Sequence, residues 1–181
     1  MSWQIRWIAV LVVLALGMCA PIFGPSGSGS DAWTRTVLTA DTSTSSAVAY
    51  TALSDLNFAI AASTNYRVRC EMWNETALAT TGLQLQVGGP ASPTEVLYFR
   101  THCTGGSGAN VAQERDNAFH TTDDGTLAGG GAAPAIPCAE QVDMIIRNGT
   151  TAGTVAFAFE SEVGGSTVTV HQGSWCEYMT Y

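Results

Sequence analysis

The sequence predicts an all-β protein, a jelly-roll-like antiparallel β-sandwich preceded by a single apolar helix. After residue 33, apolar residues recur at every second position in short runs that are separated by turn residues. No stretch of the same region has the 3.6-residue period of a helix. The chain is 46% hydrophobic and only 12% charged, which excludes a disordered acidic chain. Eight or nine strands with one apolar face each bury those faces by packing as two sheets.

Residues 1–23 form the predicted apolar segment, an anchor or signal sequence. The run from Trp7 to Phe23 is uncharged and follows Arg6. Its length of about 17 residues is at the lower limit for a membrane-spanning helix. A retained anchor, a cleaved signal peptide and a lipoprotein modified at Cys19 all remain open, and Met18 fits poorly before either kind of processing site. In each case the residues that follow are exported.

Residues 24–32 are Gly/Ser-rich and predict a flexible linker, and residues 33–181 form the predicted β-sandwich head. Strands are expected at 34–41, 56–62, 64–73, 82–89, 94–103, 141–149 and 154–163 and in the C-terminal run from 166 onward. The turn-rich sequence NGTTAG predicts that 141–149 and 154–163 form a hairpin. Residues 104–137 are mostly Gly, Ala and polar, which predicts a long loop with one strand near 110–119.

Four cysteines lie in the head and one, Cys19, lies in the apolar segment. An even number of cysteines in an exported domain favours disulfides, and four allow three connectivities. We expect Cys70–Cys176, because both lie in well-patterned strands, and Cys103–Cys138, because these two flank the long loop. Free buried thiols and a zinc site are the alternatives, but no C-x₂-C spacing is present.

The sequence offers no catalytic, cofactor or metal motif. The net charge is −8 and every basic residue is Arg, so the basic patch that nucleic acid requires is absent. His102, His120 and His171 are scattered, and no G-x-S-x-G elbow accompanies them. We therefore expect no enzyme activity, no cofactor, no metal and no nucleic-acid partner.

Several polar motifs have a simpler structural explanation than a functional one. The Asp-Asp-Gly turn at 121–125 resembles a Ca²⁺ loop only loosely. Glu160 and Glu162 share one face of a strand and are expected to be solvated rather than paired acids. Asn74 and Asn148 begin glycosylation sequons, although Asn148-Gly149 is also ordinary turn chemistry.

Trp73 and Trp175 are the candidate interface residues. Alternation places Trp73 on the outer face of its strand, beside Arg67 and Arg69. An outward Trp serves as a subunit-interface anchor or as a platform on which a sugar stacks. Interface anchoring is the preferred interpretation for both, and packing at the strand end is the third alternative.

Three segments resemble a group of bacteriophage virion structural proteins. They are LNFAIAASTNYRVRCEM at 56–72, TTGLQLQVGGPASPTEV at 80–96 and NGTTAGTVAFAFESEVGGSTVTVHQGSWCEY at 148–178. The resemblance covers residues 34–181 approximately, and it implies a small β-sandwich on a tail, fibre or capsid surface, often as a homotrimer. The N-terminal apolar segment and the four cysteines of the head depart from that group.

The expected function is that of a non-enzymatic structural protein at the surface of a virus particle. It would be part of a phage capsid or tail surface, or a membrane-anchored spike held through residues 7–23, and it would contact its own copies and other virion proteins. The alternative is an exported cell-surface or filament-forming binding module that recognises glycans. An exported hydrolase is the third hypothesis, and no paired-acid or nucleophile–base motif favours it.

Overall fold

The computed structural model describes residues 32–104, 110–116, 118–119, 129–130 and 138–181, and in these residues the chain is all-β. Its helical content there is one 3₁₀ turn at Ser54–Leu56. The strands are β1 Thr34–Val37, β2 Thr42–Thr44, β3 Thr51–Ala52, β4 Phe58–Ile60, β5 Asn65–Thr76, β6 Gly82–Gly88, β7 Glu95–Thr104, β8 Asn110–Asp116, β9 Gly129–Gly130, β10 Cys138–Arg147, β11 Gly153–Ser161, β12 Val168–Val170 and β13 Trp175–Thr180.

The predicted apolar helix at 1–23 lies outside the described residues, as does nearly all of the predicted linker. Among the residues that are described, no helix has the length and apolarity needed to cross a membrane. The strand expected near 110–119 is present as β8.

The strands form two antiparallel sheets. The larger sheet has eight strands and the order β1-β13-β5-β10-β7-β8, and β12 also belongs to it, between β2 and β5. The smaller sheet has five strands in the order β3-β11-β6-β9, with β4 also paired to β11. We call these the large sheet and the small sheet.

Strand β5 is the centre of the large sheet because both of its edges are paired. It pairs with β10 over ten residues on one edge, and with β13 and β12 in succession on the other. Its sequence alternates as predicted, so that Tyr66, Val68, Cys70 and Met72 are buried. The intervening side chains point to the outer face of the sheet.

The two sheets share one hydrophobic core, formed by their facing sides. In the small sheet, every second side chain of β6 and β11 points inward: Leu83, Leu85, Val87, Val155, Phe157 and Phe159 are each at most 1% exposed. Phe58 of β4 stacks on Tyr178 of β13 with ring centroids 4.2 Å apart, which joins the two sheets at one end. Burying a side chain of this size contributes about 1.5–3 kcal/mol, so this shared core is the main source of stability.

The predicted hairpin between 141–149 and 154–163 is wrong, because β10 and β11 lie in different sheets. Both edges of β10 are occupied by β5 and β7, so β11 has no free edge there. The connection is a crossover held by Asn148, whose amide donates to the carbonyls of Ala61 and Thr151. A side chain at Gly149 would clash with the Ser92 carbonyl, so glycine is needed here for close approach.

The predicted Cys70–Cys176 disulfide is confirmed. The two residues are direct register partners on β5 and β13, and the bond closes a sequence separation of 106 residues. Cys138 at the start of β10 is also disulfide-bonded, and its partner's side chain lies outside the described residues. The pairing of Cys138 with Cys103 therefore stays a prediction.

Candidate functional site

The two candidate interface residues lie on the outer face of the large sheet, one strand apart. Trp73 of β5 is 41% exposed, as its outward position predicts. Trp175 of β13 is half-buried, and the Arg35 guanidinium lies 4.3 Å from its ring centroid. Both Trp residues therefore lie on one surface. Their role as interface residues stays a prediction.

Four charges cross this face in a straight row. Strand register places Arg35 of β1 beside Glu177 of β13, Glu177 beside Arg69 of β5, and Arg69 beside Asp143 of β10. Nitrogen–oxygen distances are 2.8 Å for Arg35–Glu177 and 3.5 Å for Arg69–Asp143. We call these four residues the charge row; its signs alternate plus, minus, plus, minus from β1 to β10.

A shallow depression of about 390 Å³ lies next to the charge row. Its lining includes Arg69 and Asp143 of the charge row on one side. The opposite side is formed by Trp175, Glu71 and Gln141. The lining is mostly polar and open to solvent. No group of three His, Cys, Asp or Glu side chains suited to a metal ion occurs in the described part of the chain.

Apolar side chains accompany these charges on the same face. Trp33, just before β1, is 38% exposed and its ring lies 5.9 Å from the Arg69 guanidinium. Leu97 of β7 is 41% exposed, and Ile145 of β10 lies between Leu97 and Arg67 in the register. Exposed aromatic and aliphatic side chains mixed with Arg are typical of protein interfaces.

The basic charge of the protein is concentrated on this face. Four of the Arg side chains that the structure describes lie here: Arg35, Arg67, Arg69 and Arg147. The remaining described Arg side chain, Arg100, is buried between the sheets. Five described carboxylates lie on the same face, Glu71, Glu75, Glu95, Asp143 and Glu177, so its described side chains sum to −1, against −8 for the whole chain.

A buried ion pair lies on the opposite, inner face of the large sheet. Arg100 of β7 and Glu140 of β10 are 3.0 Å apart and their side chains are 0% and 2% exposed. Arg100 also donates to the Leu83 carbonyl of the small sheet at 3.1 Å, so the pair bridges the two sheets. His102, two residues further along β7, is buried too, and burial together with the Arg100 charge lowers its pKa to about 4.

The buried ion pair was not predicted from the sequence. The signal that could have found it is the alternation of β7, in which Val96, Tyr98, Arg100 and His102 share one face. That signal is weak because Leu97 and Phe99 on the other face are apolar as well.

Several other polar residues that the sequence singles out have structural roles. Glu160 is only 7% exposed, so the expectation of a solvated Glu160 is wrong, whereas Glu162 is exposed and accepts a hydrogen bond from the Gly82 amide at 3.0 Å. The local alternation of β11 does not reveal that its last residues are covered on both faces. Asn74 and Asn148 are 3% and 5% exposed, so this fold leaves no room for a glycan on either side chain.

The two histidines that the structure describes, His102 and His171, do not come together. His171 lies at the loop after β12, 3.4 Å from Asp41 and 3.6 Å from Glu75. The Gln172 amide, followed by the His171 side chain, holds the pKa of Asp41 below its usual value. His102 is inside the core, and His120 lies outside the described residues, as does the 121–125 turn.

No protein-family model matches the chain, and no curated protein matches it. Among solved structures, the chain is similar to a structure of infectious bursal disease virus, Gx strain, with 14% identity and a TM-score of 0.26 over 83% of this chain and 41% of that one. A D431N mutant VP2 protein of infectious bursal disease virus, in T=1 particles, gives 14% identity and a TM-score of 0.24, over 88% of this chain and 43% of that one. The chain thus spans less than half the length of these viral proteins.

Proposed function

We propose that this protein is a non-enzymatic structural subunit of a virus particle, folded as a jelly roll and assembled from repeated copies. The observation that carries the proposal is the order of the strands in the two sheets. The sequence segments that resemble bacteriophage virion structural proteins support it independently, because that resemblance rests on residues and not on topology.

The strand order is the one that results from winding a long hairpin into two sheets. When the β7–β8 hairpin between β6 and β9 is set aside, the other strands form eight units in chain order. These units are β1–β2, β3–β4, β5, β6, β9, β10, β11 and β12–β13. The first pairs with the eighth, the second with the seventh, the third with the sixth and the fourth with the fifth. The large sheet then has the order 1-8-3-6 and the small sheet 2-7-4-5, which is a jelly roll with the β7–β8 hairpin added beside β10.

Viral capsid domains, lectins and cupins all use the jelly roll, so the choice among them rests on the interior and on the outer face. A cupin-type enzyme needs an open interior with convergent ligands. Here the interior is filled by apolar side chains, and the polar groups within it, Arg100, Glu140 and His102, are at most 1% exposed. Substrate has no route to these groups through the described part of the core, which supports a role without catalysis.

The second candidate is an exported glycan-binding module, favoured by the exposed ring of Trp73 and by the polar depression beside Trp175. Its weakness is that Arg35 already covers the Trp175 ring. Glycan-array binding that is lost on Trp73→Ala and retained on Leu97→Ala would replace our proposal with this one.

An exported, oxidising location fits the Cys70–Cys176 disulfide, since such bonds persist outside the reducing cytosol. Placement on the particle surface, attachment through residues 7–23 and a homotrimeric state are the finer parts of the proposal. The resemblance to phage proteins supports the trimer, and the apolar segment supports the attachment.

The proposal is tested by fractionating the cells that produce the protein. Density-gradient centrifugation followed by peptide quantification should find the chain in the same fractions as nuclease-resistant nucleic acid, at a copy number comparable to the most abundant particle proteins. Immunogold labelling of those fractions should decorate regular particles. A chain that stays in membrane or soluble fractions, with no particle beside it, contradicts the proposal.

A further inference from the structure

We infer that the outer face of the large sheet binds the same face of a second copy of this chain. The two copies would be related by a two-fold axis that runs along the strands, between β13 and β5. This inference rests on the proposed function in that it names the contact through which repeated copies associate. Its evidence, however, is the charge row and its surroundings rather than the topology.

The charge row is complementary to itself in one orientation. A two-fold axis along the strands reverses the lateral order of the row in the second copy, so that plus, minus, plus, minus meets minus, plus, minus, plus. Arg35 then faces Asp143 of the partner subunit, and Glu177 faces the partner subunit's Arg69. Without the reversal, each charge would meet its own kind, which costs several kcal/mol per interface. The row therefore selects a single relative orientation, as the self-complementary contact of a two-fold dimer requires.

The neighbouring row adds apolar contacts in the same orientation. Trp33 precedes β1 by one residue, and the β1–β13 register extends it to a position beside Met179. The same axis places Trp33 opposite Ile145 of the partner subunit. Trp33 is 38% exposed in the single copy, so this contact removes aromatic surface from water. Aromatic anchors beside Arg residues are where binding energy concentrates.

The face is large enough for a stable contact. The axis between β13 and β5 superposes four strands of each copy, β1, β13, β5 and β10, and leaves β7 and β8 without a counterpart. Four strands at about 4.8 Å spacing and about ten residues at 3.4 Å rise give an overlap of roughly 650 Å² on each partner. This is at the lower end of standard interfaces, which bury about 1,200–2,000 Å² in total. Two stacked sheets of this kind pack about 30° apart because each is twisted, and the contact is then closest near the axis, where Glu177 and Arg69 lie.

Electrostatics also favours this face over the rest of the surface. With a net charge of −8, two copies repel each other wherever acidic surfaces meet. On the outer face of the large sheet, the four Arg side chains lie among five described carboxylates, Glu71, Glu75, Glu95, Asp143 and Glu177, which leaves a net charge of −1. Charge therefore opposes contact between copies only weakly at this face. A two-fold contact here is compatible with a three-fold contact elsewhere, because closed assemblies combine both kinds of axis.

The test uses two double variants of the full chain. Each variant exchanges the charges within one intramolecular ion pair, so that both ion pairs of the charge row still join opposite charges. Arg35→Glu/Glu177→Arg changes the row to minus, plus, plus, minus. Arg69→Glu/Asp143→Arg changes it to plus, minus, minus, plus. Each reversed row meets like charges in a second copy of itself, but the two variants are complementary to each other. Each carries the same kind of new like-charge neighbour, between positions 177 and 69, and each loses one Arg–Trp contact, so the two variants are matched controls for each other.

Sedimentation velocity over a concentration series measures the association. Wild type should dimerise, each double variant alone should raise the dimer dissociation constant by at least roughly 100-fold, and the equimolar mixture should recover the wild-type value within about threefold. The fourfold variant that swaps all four charges should dimerise with itself and should not bind wild type. Circular dichroism of each variant checks that the sheets are intact.

The inference is overturned if wild type is monomeric at every concentration, if either double variant dimerises like wild type, or if the mixture does not associate. These outcomes separate the inference from the proposed function. If the chain occurs in particles but the variants associate like wild type, another surface joins the copies, and the inference fails while the proposed function stands. A chain that neither associates nor occurs in particles refutes both.

Discussion

Breaking the buried Arg100–Glu140 pair should destabilise the protein far more than breaking the exposed Arg69–Asp143 pair, although both pairs join β10 to a neighbouring strand. Glu140→Gln removes the carboxylate that lies 3.0 Å from Arg100, and the two side chains are 0% and 2% exposed. A buried charge that loses its partner costs about 3–5 kcal/mol. In Arg69–Asp143 the side chains are 57% and 52% exposed, and exposed pairs contribute about 0–1 kcal/mol.

The assay is guanidinium unfolding of Glu140→Gln and of the matched control Asp143→Asn, both in the full chain. We expect a loss of unfolding free energy of about 3–5 kcal/mol for the first and at most about 1 kcal/mol for the second. The double variant Arg100→Met/Glu140→Leu should recover most of the loss, because well-packed apolar residues replace buried ion pairs with little change or a gain. Equal losses for Glu140→Gln and Asp143→Asn would refute the view that burial decides the effect.

Three other properties of the molecule are open to direct measurement. The Cys70→Ala/Cys176→Ala variant should lose about 4.7 kcal/mol in denaturant unfolding, the chain-entropy value for a loop of about 100 residues, and a loss below about 2 kcal/mol would contradict it. The pKa of His102 is lowered from 6.5 to about 4 in the folded state. Between these pH values the unfolded chain binds more protons than the folded chain, so the free energy of unfolding falls as the pH drops from 6.5 to 4. His102→Gln should reduce that dependence in unfolding curves measured at several pH values. After secretion from a glycosylating host, the folded protein should carry no glycan at Asn74 or Asn148 by intact-mass spectrometry, because both side chains are buried and a glycan there is incompatible with this fold. A glycan mass on folded protein would contradict this.

The alternating strands were predictable because each has one apolar and one polar face. In β5, the buried side chains from Tyr66 to Met72 and the exposed Trp73 follow directly from a period of two. The Cys70–Cys176 pairing was predictable for a related reason. Both cysteines lie at inward positions of patterned strands, and side chains on adjacent strands come close enough to bond only when they point to the same face.

The failures have a common physical cause, which is that local sequence does not report what lies across the sheet. The residues NGTTAG are equally suited to a hairpin turn and to a crossover, and the choice was made by the occupied edges of β10 and not by the turn. Arg100 and Glu140 are placed outside by any rule that keeps charges in water. Each carries a charge that compensates the other's burial, and the two come from strands about 40 residues apart in the chain.

The two Arg–carboxylate pairs on opposite faces of the large sheet have different consequences because they differ in burial. The inner pair is buried between the sheets, so a second molecule cannot reach it. The outer pair is solvated and contributes little to folding, which leaves its alternating charges available to define an orientation for another copy. In the described part of the core the interior is filled, so we expect binding to use the outside of the protein. On the outer face of the large sheet, aromatic side chains, arginines and a self-complementary charge pattern occur together.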